Sequence, residues 1–257
     1  MMTIYYAFCF FLFGTVLGSF YNVVGYRLPK GQSLLYPSSH CTNCNHKLMP
    51  WELVPIFSFL FLGGKCSKCK QKISWFYPIF ETVSGLLFML AFLIFGFSYE
   101  LLIALTFISL ILIITISDYN FMIISDEVLI FFAIVLVIEI FFIYGYKILL
   151  YRIMSAIIAS FIMFLLKKLG DFLFKKESMG GGDIKLLAIH GLVLGWPLAL
   201  ISIFVGAIVG LPFALLICLR KKEHILPFGP FLGVGAILIL FSKVDINQIL
   251  DFFTIIK

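Results

Sequence analysis

Asp183 lies in the run Met179-Gly180-Gly181-Gly182-Asp183-Ile184-Lys185-Leu186-Leu187, an acid behind three glycines at the mouth of a long apolar stretch. Asp118 ends another apolar stretch 65 residues earlier. Ionisable groups at a membrane edge are costly to keep, so they mark functional sites by default. Two carboxylates brought together cannot both ionise easily, and such a pair shares a proton. The charged member can take a proton from water while the neutral member donates to a carbonyl oxygen. That is acid/base hydrolysis with no covalent intermediate and no metal.

The competing reading is structural. A lone aspartate at a helix end is most often an N-cap, with Asp183 capping a helix from Ile184 and Asp126 one from near Val128. Three glycines in front of Asp183 favour chemistry, because their wide backbone freedom lets an extended peptide approach the acid. Gly180, Gly181, Gly182 and Lys185 are therefore expected to form a substrate loop, with Lys185 tuning the acid or binding a carboxylate. Asp126 stands eight residues after Asp118, over two turns away on one helix. Asp118 with Asp183 is the expected catalytic pair, and Asp126 the reserve acid.

Cys41-Thr42-Asn43-Cys44 and Cys66-Ser67-Lys68-Cys69 are two C-x-x-C knuckles with 21 residues between them. Four thiolates from two knuckles make a closed tetrahedral zinc site, which is structural. Disulfides are the alternative, and a cytoplasmic placement disfavours them. A polar segment of this size has little core of its own, so metal binding substitutes for burial. His40 and His46 flank the first knuckle, but four cysteines already suffice. Cys9 and Cys218 lie in apolar spans and read as packing residues.

These residues must be positioned by helices. The chain has 257 residues, 62% hydrophobic and 12% charged, which marks an integral membrane protein. The apolar runs are long and lack barrel-like alternation, so the spans are helical. They are expected near 3–23, 77–97, 101–117, 128–146, 149–166, 184–196, 198–219 and 225–242. The 34 residues 186–219 carry no Asp, Glu, Lys or Arg, too many for one span, and Gly195-Trp196-Pro197 is the natural break. The fold class is thus an all-α polytopic membrane protein of about eight transmembrane helices, with a small cytoplasmic zinc-ribbon-like insert. Its expected parts are a first helix (1–24), a cysteine-rich subdomain (25–76) and a transmembrane core (77–257). Segment 167–183 reads as an amphipathic loop.

The net charge of +6 reports topology, not nucleic-acid binding. Cations cluster at Arg27, Lys30, Lys47, Lys65, Lys68, Lys70 and Lys72, then at Lys167, Lys168, Lys175 and Lys176, then at Arg220, Lys221 and Lys222. Lys147, Arg152, Lys243 and Lys257 are the few on the opposite side. By the positive-inside rule the clusters face the cytoplasm, the N-terminus lies outside, and Asp118 and Asp183 share the cytoplasmic face. No basic residue precedes Arg27, so the first span reads as retained rather than as a cleaved signal peptide.

With these motifs in order, the chain resembles the type IV prepilin leader peptidases, many of which are also N-methyltransferases. Gly18-Ser19-Phe20-Tyr21-Asn22-Val23-Val24 with Arg27-Leu28-Pro29 is similar to the family's N-terminal signature. The knuckles follow in place, and Tyr77-Pro78-Ile79-Phe80-Glu81 looks like its entry to the second helix. Asp118 through Asp126 resembles the first catalytic region, and Gly180 through Leu187 the GxGD motif of membrane aspartyl proteases. The resemblance spans roughly 14–215. Ser125 departs from it, since the family often has Pro before the later aspartate.

The resemblance implies a bacterial inner-membrane endopeptidase that removes the basic leader of prepilins or pseudopilins. It also implies S-adenosylmethionine as methyl donor for the new N-terminal amine, an activity the family associates with the N-terminal cytoplasmic region. No G-x-G-x-x-G after a strand supports that second activity independently.

Glu139, mid-span, reads as a structural acid, protonated or paired with Arg152. Glu81 is expected to face the bundle interior, in a structural hydrogen bond to a neighbouring helix or equally in a substrate contact; His190 reads as a hydrogen-bonded core histidine, and the 31 Phe as packing or lipid-facing. The alternative function is an ion- or proton-coupled transporter with membrane-edge carboxylates, which should show repeat symmetry; none is visible. A non-catalytic scaffold docking a partner through zinc knuckles is the third reading.

Overall fold

A computed structural model describes residues 2–175, 177, 179–220 and 227–244, with backbone alone at 217–220. The expected features at Lys176, Lys221, Lys222, Lys257, the Cys218 side chain and the start of span 225–242 lie outside the described residues. The chain divides into two units, Met1–Leu101 and Leu102–Lys257.

The first unit is built on α1 (Met2–Arg27) and α3 (Phe76–Phe95), with a short α2 (Phe57–Phe61) between them. Lipid gives helices no hydrophobic reason to associate, so close approach at small residues must supply contact. A Cβ on Gly14 would meet the Ser84 carbonyl oxygen at 2.7 Å and Gly85 Cα at 2.9 Å. The Ser84 hydroxyl donates to the Gly14 carbonyl at 2.7 Å. Phe10 and Phe92 stack at 4.7 Å further along the same seam. Leu28-Pro29 breaks α1 into a single 3-10 turn, closed by left-handed Gly31.

The second unit holds α4 (Tyr99–Phe121) from Leu102 onward, with α5 (Asp126–Phe174), α6 (Gly181–Leu194), α7 (Trp196–Arg220) and α8 (Gly229–Ser242). Helix α4 is its core: Ala104, Phe107, Ile108 and Leu110 are fully buried. Five described helices are long and apolar enough to cross a membrane. One of them, α5, runs 49 residues, about 73 Å at 1.5 Å per residue, or over twice a hydrocarbon core of about 30 Å. Non-helical Gly145 (φ +79°) breaks it at the boundary expected between two spans. Gly195 (φ +87°) separates α6 from α7 as expected. Counting both parts of α5, the described residues hold eight apolar segments, the number expected. Two, α6 and α8, have 14 residues each, about 21 Å and too short to cross alone.

Several local expectations are corrected. Helix α5 continues to Phe174, so 167–174 is helix rather than loop. Helix α6 begins at Gly181 with Gly180 as N-cap; its apolar face packs on α5 and carries the helix back through two glycines. Asp183 is therefore not an N-cap, and only Gly180 of the three glycines lies outside the helix. Asp126 is likewise the first residue of α5, after Ser125 as N-cap. Glu139 does not pair with Arg152. Thr106 donates to it at 2.7 Å, while Arg152 donates to the Val193 carbonyl at 2.6 Å, tying α5 to the end of α6. His190 is fully buried with its Nδ1 3.2 Å from the Ser202 hydroxyl, a core histidine. The phenylalanines divide as expected between packing (Phe88, Phe107) and exposed faces (Phe131, Phe142).

Candidate active site and candidate metal centre

Asp118 sits in the last turn of α4, which ends at Phe121 because Met122 turns left-handed (φ +55°). Asp183 sits in the first turn of α6. Both are buried, at 6% and 7% exposed. The Gly229 N–H, first in α8, donates to Asp118 Oδ2 at 3.0 Å. The Gly180 N–H bonds back to the Asp183 carboxylate, the return half of a capping box. Each acid is thus anchored by a backbone N–H at a helix start, where the dipole also favours negative charge. The two carboxylates lie close enough to repel each other, and the Lys167 ammonium reaches Asp183 as well.

Ile124 joins the three helix ends. A Cβ on Gly182 would come 2.7 Å from Ile124 Cβ, and one on Gly229 would come 3.4 Å from Ile124 Cδ1 and 2.8 Å from Asp118 Oδ2. Glycine at 182 and 229 is what lets α6 and α8 close on the end of α4.

The other expected site residues separate into a second group. Lys185 Nζ bonds both Asp126 oxygens at 2.7 Å, an exposed bidentate pair. Lys185 thus binds a carboxylate, but that of Asp126. The sequence reasoning missed Gly229 and Ile124. Gly229-Pro230 after the third basic cluster does signal a helix start on the same face, although nothing local links it to Asp118.

In the first unit Cys41, Cys44, Cys66 and Cys69 offer four sulfurs within 4.8 Å of one another. Their thiols are free rather than disulfide-bonded. The two knuckles repeat one geometry. Cys41 N–H bonds the His46 carbonyl as Cys66 N–H bonds that of Gln71, and Asn45 N–H bonds Cys41 as Lys70 N–H bonds Cys66. Asn45 and Lys70 are both left-handed (φ +54° and +59°), and His40–Lys47 and Lys65–Lys72 make matching bridges.

The Gln71 backbone N–H, with the Asn43 amide, pulls the Cys69 thiol down to about 6. At Cys44 the His46 N–H also lowers it, but burial and the neighbouring sulfurs outweigh that and push it up to about 11. Four such sulfurs cannot all become thiolates without a cation among them. His46 turns away to Glu52 at 3.2 Å, and Glu52 also accepts the Met49 N–H at 2.7 Å. His40 Nδ1 pairs with the Ser38 carbonyl at 2.9 Å. The metal-competent group is the four cysteines.

Residues 105–215 match the model of the type IV leader peptidase family, and residues 12–95 match that of the bacterial Peptidase A24 N-terminal domain. The chain belongs to the type IV leader peptidase family. A prepilin leader peptidase/N-methyltransferase of Bacillus subtilis is 39% identical, over 89% of this chain and 91% of its own length. Proteins of the same description from Pseudomonas putida and Pseudomonas aeruginosa are 32% and 33% identical, covering 86% and 88% of this chain and 85% and 87% of their own lengths. No solved structure matches the chain. Family membership leaves the transporter reading without support.

Proposed function

We propose that Asp118 and Asp183 are the catalytic pair of a membrane aspartyl endopeptidase. The protein cleaves the leader from type IV prepilins or pseudopilins and N-methylates the residue this frees. The observation that carries the catalytic assignment is the burial of two carboxylates near each other, each anchored by one glycine N–H. The Gly229 bond fixes Asp118 Oδ2 and leaves its other oxygen for chemistry. One acid, ionised, takes a proton from water as the water oxygen adds to the scissile carbonyl carbon, and the other, protonated, donates to the carbonyl oxygen. The first then gives its proton to the amide nitrogen and the second regains one from the gem-diol, so the C–N bond breaks and the amine leaves. Asp126 holds Lys185 and positions the start of α6.

The basic clusters support a cytoplasmic position, at the bacterial inner membrane, for the aspartate end of the helices. A basic prepilin leader lies on that side. The four cysteines fit zinc, which takes tetrahedral thiolate sets, and the closed set leaves no position for a substrate. Cys41, Cys44, Cys66 and Cys69 would hold the zinc, which would tie residues 41–44 to 66–69. S-adenosylmethionine supplies the methyl group.

The test is mass spectrometry of a prepilin from the same cell after incubation with the membrane-reconstituted protein, with and without S-adenosylmethionine. A leader-sized loss followed by a methyl-sized gain is expected. An unchanged prepilin with folded protein counts against the peptidase reading, and cleavage without methylation against the second activity.

A further inference from the structure

Asn22 is 4% exposed, yet neither its Nδ2 nor its Oδ1 has a hydrogen-bond partner. Burying both ends of an amide unbonded is costly, so something outside the chain completes it.

Its position narrows the choice. Gly18, one turn earlier on α1, meets α3 so closely that a Cβ would lie 3.1 Å from Glu81 Cα and 2.7 Å from Ser84 Cβ. Gly14 meets Ser84 and Gly85 in the same way, so α1 and α3 run antiparallel. The turn of α1 carrying Asn22 therefore comes level with the first turn of α3, one turn before Glu81, which lies opposite Gly18. Glu81 is itself buried, at 8% exposed. Its Oε2 accepts the Ile56 N–H at 2.8 Å, and the Ser19 side chain bonds the same carboxylate. A carboxylate accepts about four hydrogen bonds, so capacity remains. Ile56 has φ +62°, a conformation β-branched residues avoid, and the Glu81 bond holds it there.

A bare cation suits this place poorly, since Asn22 Nδ2 would still lack an acceptor. An α-ammonium group beside a carboxylate or peptide carbonyl has both parts. We propose that Asn22 and Glu81 bind an α-ammonium group together with its neighbouring carboxylate or carbonyl oxygen. Glu81 and Asn22 Oδ1 take the ammonium hydrogens, and Nδ2 donates to the oxygen. The proposal rests on the methyltransferase reading, which brings two such groups to the protein. One is the amino-acid end of S-adenosylmethionine, and the other is the N-terminus of the cleaved pilin.

Protein in nanodiscs is titrated calorimetrically with four probes. S-adenosylhomocysteine carries the amino-acid end and methylthioadenosine lacks it. A peptide beginning at the residue freed by cleavage carries the amine, and its N-acetylated form does not. The variants are Asn22→Leu and Glu81→Gln; the glutamine keeps an oxygen for the Ile56 N–H, and thermal unfolding verifies both folds. In the wild type one amine-bearing probe should bind at least about tenfold tighter than its amine-free partner, the scale of a charge-assisted hydrogen bond, and both variants should erase that ratio. Loss of the first ratio identifies the methyl donor as occupant, and loss of the second identifies the pilin. Ratios that survive in folded variants overturn the proposal, as does equal weakening of amine-bearing and amine-free probes. A wild type that binds none of the four overturns the methyltransferase reading and the proposal with it.

Discussion

Gly229→Ala adds one methyl group beside the proposed active site. The new Cβ would stand 2.8 Å from Asp118 Oδ2 and 3.4 Å from Ile124 Cδ1. The first distance is well inside van der Waals contact, so the carboxylate must move by several tenths of an ångström or α8 must retreat. Either way the 3.0 Å bond from the Gly229 N–H is lengthened or lost. A hydrogen bond to a charged group contributes about 1.5–3 kcal/mol, and a misplacement of about 1 Å at a reacting group costs on the order of 100-fold in rate. We expect leader cleavage to slow by roughly 10- to 100-fold, with KM changed far less than kcat. Two companions calibrate the result. Gly182→Ala drives a Cβ to 2.7 Å from Ile124 Cβ and should impair cleavage by separating α6 from α4, whereas Gly181→Ala meets nothing within 4 Å and should be near neutral. The assay is the initial rate of prepilin cleavage in reconstituted membranes, with thermal unfolding as a check on the fold. Wild-type rates for a folded Gly229→Ala protein would refute the reasoning.

Other expectations follow from the same geometry. Lys185→Ala or Asp126→Ala should change stability by under about 1 kcal/mol, because the pair is exposed, yet should slow cleavage if the pair sets the start of α6. The exchange Asp126→Lys with Lys185→Asp should restore rate, and failure of that rescue counts against a positioning role. Elemental analysis should find one zinc per chain, and Cys66→Ser should abolish it and harm methyl transfer more than proteolysis; equal loss of both activities argues against separate sites. Glu139→Gln should leave cleavage and melting temperature nearly unchanged, because an amide oxygen still accepts from Thr106; strong loss of either would show that the acid's charge matters.

What could be read from the sequence was carried by residue type and spacing. Asp118, Asp183 and the two knuckles stand out because a carboxylate at a span end is costly to keep and because four cysteines in paired C-x-x-C turns suit a metal. Gly145 and Gly195 fell where span lengths demanded a break. The partners were not legible, because they depend on which helices meet. Gly229 acts through its backbone N–H, which every non-proline residue has, and lies 111 residues from Asp118. Lys185 stands two residues from Asp183 yet bonds Asp126, 59 residues away, since residues two apart on a helix point to different faces. Amphipathic character and the glycine run also misled at 167–183, which reads as a loop, whereas apolar residues keep α5 helical to Phe174 and α6 begins at Gly181. Of the two readings of Glu139, protonated or paired with Arg152, the pairing fails, since a Thr106 hydroxyl serves Glu139 and a helix-end carbonyl serves Arg152.

The central claim is that Asp118 and Asp183 work as one unit. Its most direct test is the single-turnover rate of leader removal by Asp118→Asn, Asp183→Asn and the double variant, all verified as folded. Groups that act together show strongly non-additive losses. Each single variant should therefore fall to the same floor as the double. Retained cleavage in either single variant, or losses that multiply in the double, would contradict the pair.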